Sequence, residues 1–220
     1  MKPSPRRNVH LLKYQSKSSS GFGVEVVFDA QADLRLLLDD LQWLTDVAEA
    51  EAAPDFFVME VLASHGSADL RALAEDAAAH GLAGKLCLVV SSRLRPPDDL
   101  LVELLNLGIR VLLGGVGPDA RFSDLTDSLV DGIVLDRTLI SNASGDPQAA
   151  SVLEAIVALA TNLGLRTFAH RCSQQVDFDV ALSCGVDYLT LDAEPPRESP
   201  ATEPLGFGQP RTGENRASHH

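Results

Sequence analysis

Gly108-Ile-Arg-Val-Leu-Leu-Gly-Gly-Val-Gly-Pro-Asp-Ala-Arg-Phe-Ser-Asp-Leu-Thr-Asp-Ser-Leu-Val-Asp-Gly-Ile-Val-Leu-Asp-Arg-Thr-Leu-Ile140 is the stretch that decides the fold. Two short apolar runs, Val111–Leu113 and Ile133–Leu135, are each entered after a glycine. The segment between them, Arg121–Leu129, reads as a helix, so the unit is strand–helix–strand. Continuous apolar runs suit parallel strands buried on both faces, with helices as crossovers. Chemistry in such folds is placed on loops at the C-terminal ends of the strands. Here that position is held by Gly114, Gly115, Val116 and Gly117, which offer no reactive side chain.

The same alternation extends to both sides. Upstream, Val9–Gln15 and Val24–Phe28 read as a hairpin, and an acidic Leu- and Ala-rich helix runs from Gln31 to Ala52 before Pro54. Strand Phe56–Leu62, helix Ala68–His80, strand Lys85–Val90 and helix Asp98–Leu107 lead to Arg110–Leu113. Downstream of Gly132–Asp136, helix Ala149–Leu163 precedes strand Arg166–His170. Helix Gln174–Ser183 precedes strand Asp187–Asp192. Glycines such as Gly108 and Gly164 close helices with a tight turn into the next strand. Eight strands with about six helices predict an α/β fold, a closed (β/α) TIM-type barrel with an irregular N-terminal hairpin. Residues 9–192 fall short of the ~250 usual for that fold, so the barrel is a shortened one. Residues 1–8 read as a disordered leader and 193–220 as a disordered tail, since neither holds apolar periodicity.

Composition narrows the function. A net charge of −13 argues against a nucleic-acid surface, which needs a basic face. The three cysteines, Cys87, Cys172 and Cys184, make a poor disulfide framework and point to a reducing, cytoplasmic setting. No run reaches the roughly 20 apolar residues of a membrane span.

Six pieces of the chain resemble, in order and spacing, the EAL domain, the bacterial phosphodiesterase that opens cyclic di-GMP. His10-Leu-Leu-Lys-Tyr-Gln resembles its opening "hYQP" strand, and Gly23-Val-Glu-Val-Val-Phe-Asp resembles "G-x-E-A-L-x-R". Leu107 to Gly117 resembles "L-G-x-x-x-x-x-D-D-F-G", and Val130 to Ile140 resembles "V-D-x-L-K-I-D-R-S-F-I". Leu163 to His170 resembles "L-G-x-x-x-x-A-E", and Cys184 to Thr190 resembles "G-x-D-x-x-Q". The family reaction implied is phosphodiester hydrolysis by water activated between two Mg²⁺ or Mn²⁺ ions, which require carboxylate ligands.

The departures are as informative as the matches. On the resemblance, the first glutamate survives as Glu25, and the strand-three asparagine falls near Glu60. The "E-x-T-E" falls on Leu88 through Ser91, and the aspartate pair on Gly114 and Gly115. The lysine falls on Val134, an aspartate is kept at Asp136, and the glutamates of "A-E-G-V-E" fall on His170 and Ser173. Two or three remaining carboxylates are too few for two metals ~4 Å apart. The expectation is therefore a catalytically inactive domain with no catalytic residues, no metal and no cofactor. It would act as a regulatory protein–protein interaction module in or beside cyclic di-GMP signalling. Partners expected are another protein or a second copy of the chain, with no nucleic acid and no membrane. Cyclic di-GMP binding through Gln15 and Glu25 is a second reading. It is disfavoured because Asp29 stands where an arginine would grip phosphate. A third reading is an enzyme of repurposed chemistry, which requires Glu60, Asp136, His170 or Asp192 to converge.

Overall fold

The computed structural model describes residues 9–16, 23–28, 44–49, 53–61, 66–94, 96–120, 125–126 and 129–192. Among the described residues, nine strands form one sheet: β1 (Val9–Lys13), β2 (Gln15–Ser16), β3 (Gly23–Phe28), β4 (Phe56–Glu60), β5 (Leu86–Ser91), β6 (Arg110–Val116), β7 (Gly132–Leu135), β8 (Arg166–Cys172) and β9 (Tyr188–Leu191). Their spatial order is β1-β3-β4-β5-β6-β7-β8-β9-β2. Strands β3 to β9 are parallel neighbours, as the buried apolar runs predict.

The N-terminal hairpin closes the ring. β1 runs antiparallel to β3, with Leu12 opposite Glu25, while β2 runs antiparallel to β9, with Gln15 opposite Leu189. One short run of chain, broken only at Tyr14, thus bridges the first and last parallel strands. The expected irregularity is the device that makes the barrel nearly continuous.

Around it, among the described residues, stand helices α1 (Ser67–Ala79), α2 (Asp98–Asn106), α3 (Arg137–Ala143), α4 (Pro147–Asn162) and α5 (Gln175–Ser183). Helix α3 has no counterpart in the sequence reading, because seven residues give too short an apolar period to register. It forms because Asp136 caps it, accepting from the Thr138 backbone N–H at 2.7 Å. The expected helices Gln31–Ala52 and Arg121–Leu129 lie largely outside the described residues, with helical turns at 44–48 and 125–126. Residues 1–8, 193–220 and Asp29 also lie outside them.

Strand alternation divides the apolar residues into two clusters. The outer one packs the strands on the helices, with Phe57, Met59, Leu88, Leu113, Ile133 and Ala169 among its members. The inner one fills the barrel with Tyr14, Phe56, Val58, Cys87, Val89, Leu112, Val134 and Phe168. Aromatic rings dominate the inner cluster: Phe168 and Tyr188 stack at 4.9 Å, and Phe56 meets Tyr188 edge-on at 5.0 Å. Gly23 makes room for that packing, since a Cβ there would lie 2.1 Å from the Phe56 ring.

Candidate functional site

The C-terminal ends of the strands carry a polar cluster above the aromatic plug. Glu25 of β3 is buried at 4% exposure. Its Oε2 accepts a 2.6 Å hydrogen bond from the Thr190 hydroxyl on β9. Thr190 Oγ1 in turn accepts from the Arg171 backbone N–H at 2.7 Å. The ring closes through the Arg171 side chain, whose Nε lies 3.2 Å from Glu25 Oε1. That Nε is buried and, although within ion-pair distance, its N–H is not aligned for a hydrogen bond. The other end of the guanidinium reaches outward, with Nη2 donating to Glu60 Oε2 at 3.1 Å. One arginine therefore spans both carboxylates.

Arg171 reaches that place through a local break in the strand. Phe168 points into the barrel and Ala169 points out, as a two-residue period requires. His170 points in again, but the β8–β9 register then shifts between Ala169 and Cys172. Arg171 sits in the left-handed region at φ 48°, and is alone in this among the described non-glycine residues. The bulge lets His170 and Arg171, consecutive in sequence, both face the mouth.

His170 is held neutral. Its Nε2 lies 2.6 Å from the Tyr14 hydroxyl, and its Nδ1 lies 3.7 Å from Glu25 Oε1. Burial, aided by the positive charge of Arg171, pushes its pKa down to about 3. Burial also raises the Tyr14 pKa well above its ordinary value, with the Glu25 charge adding to it. Because Nδ1 faces a Glu25 oxygen at 3.7 Å, the tautomer that suits the site carries its proton on Nδ1, and Nε2 then accepts from the protonated Tyr14 hydroxyl. Glu25 itself has a raised pKa: loss of hydration outweighs the opposing Thr190 hydrogen bond and Arg171 charge.

A cleft of about 340 Å³ is lined by Glu60, Ser91, Gly114, Gly115, Val134, Asp136, His170 and Arg171. Glu60, Asp136 and His170 thus do share one cleft. Their polar atoms are already engaged, with Arg171, with the N-terminus of α3 and with Tyr14 respectively. Asp192 instead pairs with Arg137 at 3.0 Å. Leu88 does not belong to the site: it points outward and is fully buried among the helices. Ser173 also turns away, its hydroxyl donating to Asp177 at 3.0 Å on α5. Gln15 is exposed on β2. Ser91 ends β5, where its Oγ accepts from the Arg93 N–H at 3.3 Å.

Gly114 and Gly115 are bound to their backbone geometry. A Cβ at Gly114 would lie 2.7 Å from Val89 Cγ1, and Gly115 has φ +74°. The β6–β7 register shifts between Gly114 and Val116, so this loop too is a bulge. Val134 belongs to the inner apolar cluster and lines the cleft with an apolar side chain.

Arg171, Thr190 and Tyr14 carry the cluster and were not singled out by sequence. Two consecutive inward residues violate strand alternation, so periodicity exposes His170 only. A signal existed: Arg171 falls on the glycine of "A-E-G-V-E", a large cation where a residue free to adopt positive φ is expected.

With this geometry in place, comparisons fix the class. The EAL domain profile matches residues 39–190, most of the chain, and the protein belongs to the EAL domain family. No curated protein matches it. Solved structures share the fold at low identity. The EAL domain of Mycobacterium smegmatis DcpA superposes with a TM-score of 0.68 at 16% identity, covering 84% of this chain and 89% of that one. A standalone EAL protein of Vibrio cholerae O395, in a c-di-GMP bound form, gives 0.64 at 12%, covering 84% and 89%. Klebsiella pneumoniae BlrP1, in a calcium and cyclic di-GMP complex, gives 0.65 at 15%, and the match covers 87% of this chain but only 57% of BlrP1. Among the described residues, no helix is long and apolar enough to cross a membrane, and no cluster of three or more His, Cys, Asp or Glu is placed to hold a metal ion.

Proposed function

We propose that this chain is a non-hydrolytic EAL domain that works in or beside cyclic di-GMP signalling through contacts with another protein. The observation that carries the reading is the span of Arg171 across Glu25 and Glu60, 3.2 Å from one and 3.1 Å from the other. A two-metal hydrolysis needs several carboxylate oxygens converging on two cations. Here the donor set does not fit that group. Glu25 and Glu60 face a guanidinium, Asp136 caps α3, and glycines stand at 114 and 115. Nor does a lysine reach the cleft from β7, where Val134 packs on Phe168 and Val89. No step through a metal is derived.

The same geometry weighs against a nucleotide-sensing role. Arg137 and Arg171 are cations lining the cleft, and each is already paired, Arg137 with Asp192 and Arg171 with both Glu25 and Glu60. A phosphate entering there would have to compete with these carboxylates. Output through a protein surface is the reading left, and a net charge of −13 favours a basic partner face.

The test is direct. Purified protein, incubated with cyclic di-GMP and Mg²⁺ or Mn²⁺, is expected to leave the nucleotide intact, and calorimetry at high micromolar ligand is expected to show no heat. Turnover that Glu25→Ala abolishes would overturn the reading. Saturable nucleotide binding without turnover would replace it with the effector reading.

A further inference from the structure

We infer that the Arg171 guanidinium is a built-in counter-ion that stands where the resemblance implies divalent cations, and that it keeps such a cation off the Glu25–Glu60 pair. The inference deepens the non-hydrolytic reading and rests on it: it names the residue that makes the mouth of the barrel refractory to metal.

Glu25 is a carboxylate inside a barrel whose lower half is aromatic, and such a group needs an adjacent cation or a proton. Arg171 is that cation, held from three sides. Its backbone N–H is fixed by Thr190, its Nε faces Glu25, and its Nη2 is held by Glu60. Thr190 hydrogen-bonds both Arg171 and Glu25, so the carboxylate and the backbone that carries its counter-ion share one anchor. The chain adopts a left-handed φ of 48° at a non-glycine residue to bring this about. A plain strand would turn Arg171 outward, among the helices. The bulge brings it to the carboxylates instead. Once there, its positive charge occupies the space between them and repels a second cation over the same few ångströms.

The consequence is that metal affinity is masked by a residue of the chain itself. Mn²⁺ alone serves as the probe, read by water-proton relaxation and by thermal unfolding of the full-length chain. Wild type is expected to show no saturable Mn²⁺ binding at millimolar concentration. Arg171→Gly is expected to unfold at a lower temperature without metal, by on the order of 5 °C or more. It is expected to bind Mn²⁺ roughly tenfold or more tightly than wild type, with a rise in its unfolding midpoint. Arg171→Asn, which tolerates the left-handed backbone, repeats the test should glycine loosen the bulge. Arg171→Lys, keeping the charge, is expected to behave as wild type toward Mn²⁺. The double variant Arg171→Gly with Glu25→Gln is expected to lose the gained binding. A purely structural arginine would give the stability loss without the Mn²⁺ response. The inference is overturned if Mn²⁺ binds wild type in a manner that Glu25→Gln abolishes. It is equally overturned if neither Arg171→Gly nor Arg171→Asn binds Mn²⁺ better than wild type. Neither result touches the cyclic di-GMP measurement, which decides the preceding reading on its own.

Discussion

The Tyr14 hydroxyl lies 2.6 Å from His170 Nε2, and this bond ties the short segment that closes the barrel to the polar cluster at its mouth. Tyr14 sits between β1 and β2, where the chain passes from β3 to β9. Its ring also packs on Phe56, Phe168 and Tyr188. Closure and cluster are therefore one cooperative unit. Tyr14→Phe keeps the ring packing and leaves buried Nε2 without a donor, which costs about 1–3 kcal/mol. Urea unfolding measures it, and a loss under half a kcal/mol would mean that water replaces the phenol.

Acid acts on the same pair. The His170 pKa is depressed from 6.5 to about 3 in the folded chain, chiefly by burial. The unfolded state therefore binds a proton that the native state refuses between those values. Stability from this group is complete above about pH 6.5 and falls as the pH drops toward 3. Imidazole nitrogen shifts at pH 5 are expected to report a neutral ring protonated at Nδ1. A charged ring at that pH would contradict the network.

Glu25 titrates with the opposite slope. Its folded pKa is raised above the ordinary 4.5, mainly by burial, so the native state holds its proton to higher pH than the unfolded one. That contribution is complete below about 4.5 and is lost as the pH rises through the raised folded value. Glu25→Gln keeps an oxygen for Thr190 and removes the charge. It is expected to be more stable than wild type at neutral pH, because the buried carboxylate is the costly form. It should also lose the decline of stability that wild type shows above pH 4.5. Matching pH profiles for the two proteins would show that the carboxylate is not costly.

Barrel closure depends on a glycine outside the cleft. A Cβ at Gly23 would sit 2.1 Å from the ring of Phe56, a buried member of the inner cluster. Gly23→Ala is expected to cost about 1–3 kcal/mol through overpacking. Phe56→Leu in the same chain should recover part of that loss, because it removes the ring that clashes. Two simple, additive losses in thermal unfolding would place the damage elsewhere.

Much of this architecture is legible in sequence because the strands are buried on both faces and each helix end carries a glycine. The runs at Val111–Leu113 and Ile133–Leu135 are β6 and β7 in the interior of the sheet. What escapes is whatever breaks a period. Helix α3 is too short to show one, and the β8 bulge puts His170 and Arg171 on one side. Leu88 departs from the site for a related reason: a motif spaced by three residues falls on both faces of a strand, and Leu88 takes the outer one. The sequence singles out Glu25 as a carboxylate, but its partners lie 146 and 165 positions away, since 171 − 25 = 146 and Thr190 is separated from it by 165. No local pattern could have paired them.

The glycines at 114 and 115 allow a final prediction, about restoring the aspartates that the family resemblance would place there. Gly115 has φ +74°, a conformation that costs a non-glycine residue roughly 1–2 kcal/mol. At Gly114 the obstacle is a neighbour, because a Cβ would lie 2.7 Å from Val89 Cγ1. The double variant Gly114→Asp with Gly115→Asp is therefore expected to lose about 2–4 kcal/mol, adding strain at one position to overpacking at the other. Adding Val89→Ala should return part of the second contribution and none of the first. Cyclic di-GMP hydrolysis is not expected to appear in either variant, since Arg171 still spans Glu25 and Glu60. The measurement is thermal unfolding of each single, double and triple variant alongside a nucleotide turnover assay. Turnover in the double variant with Arg171 intact would mean that the glycines, and not the arginine, hold the site inactive.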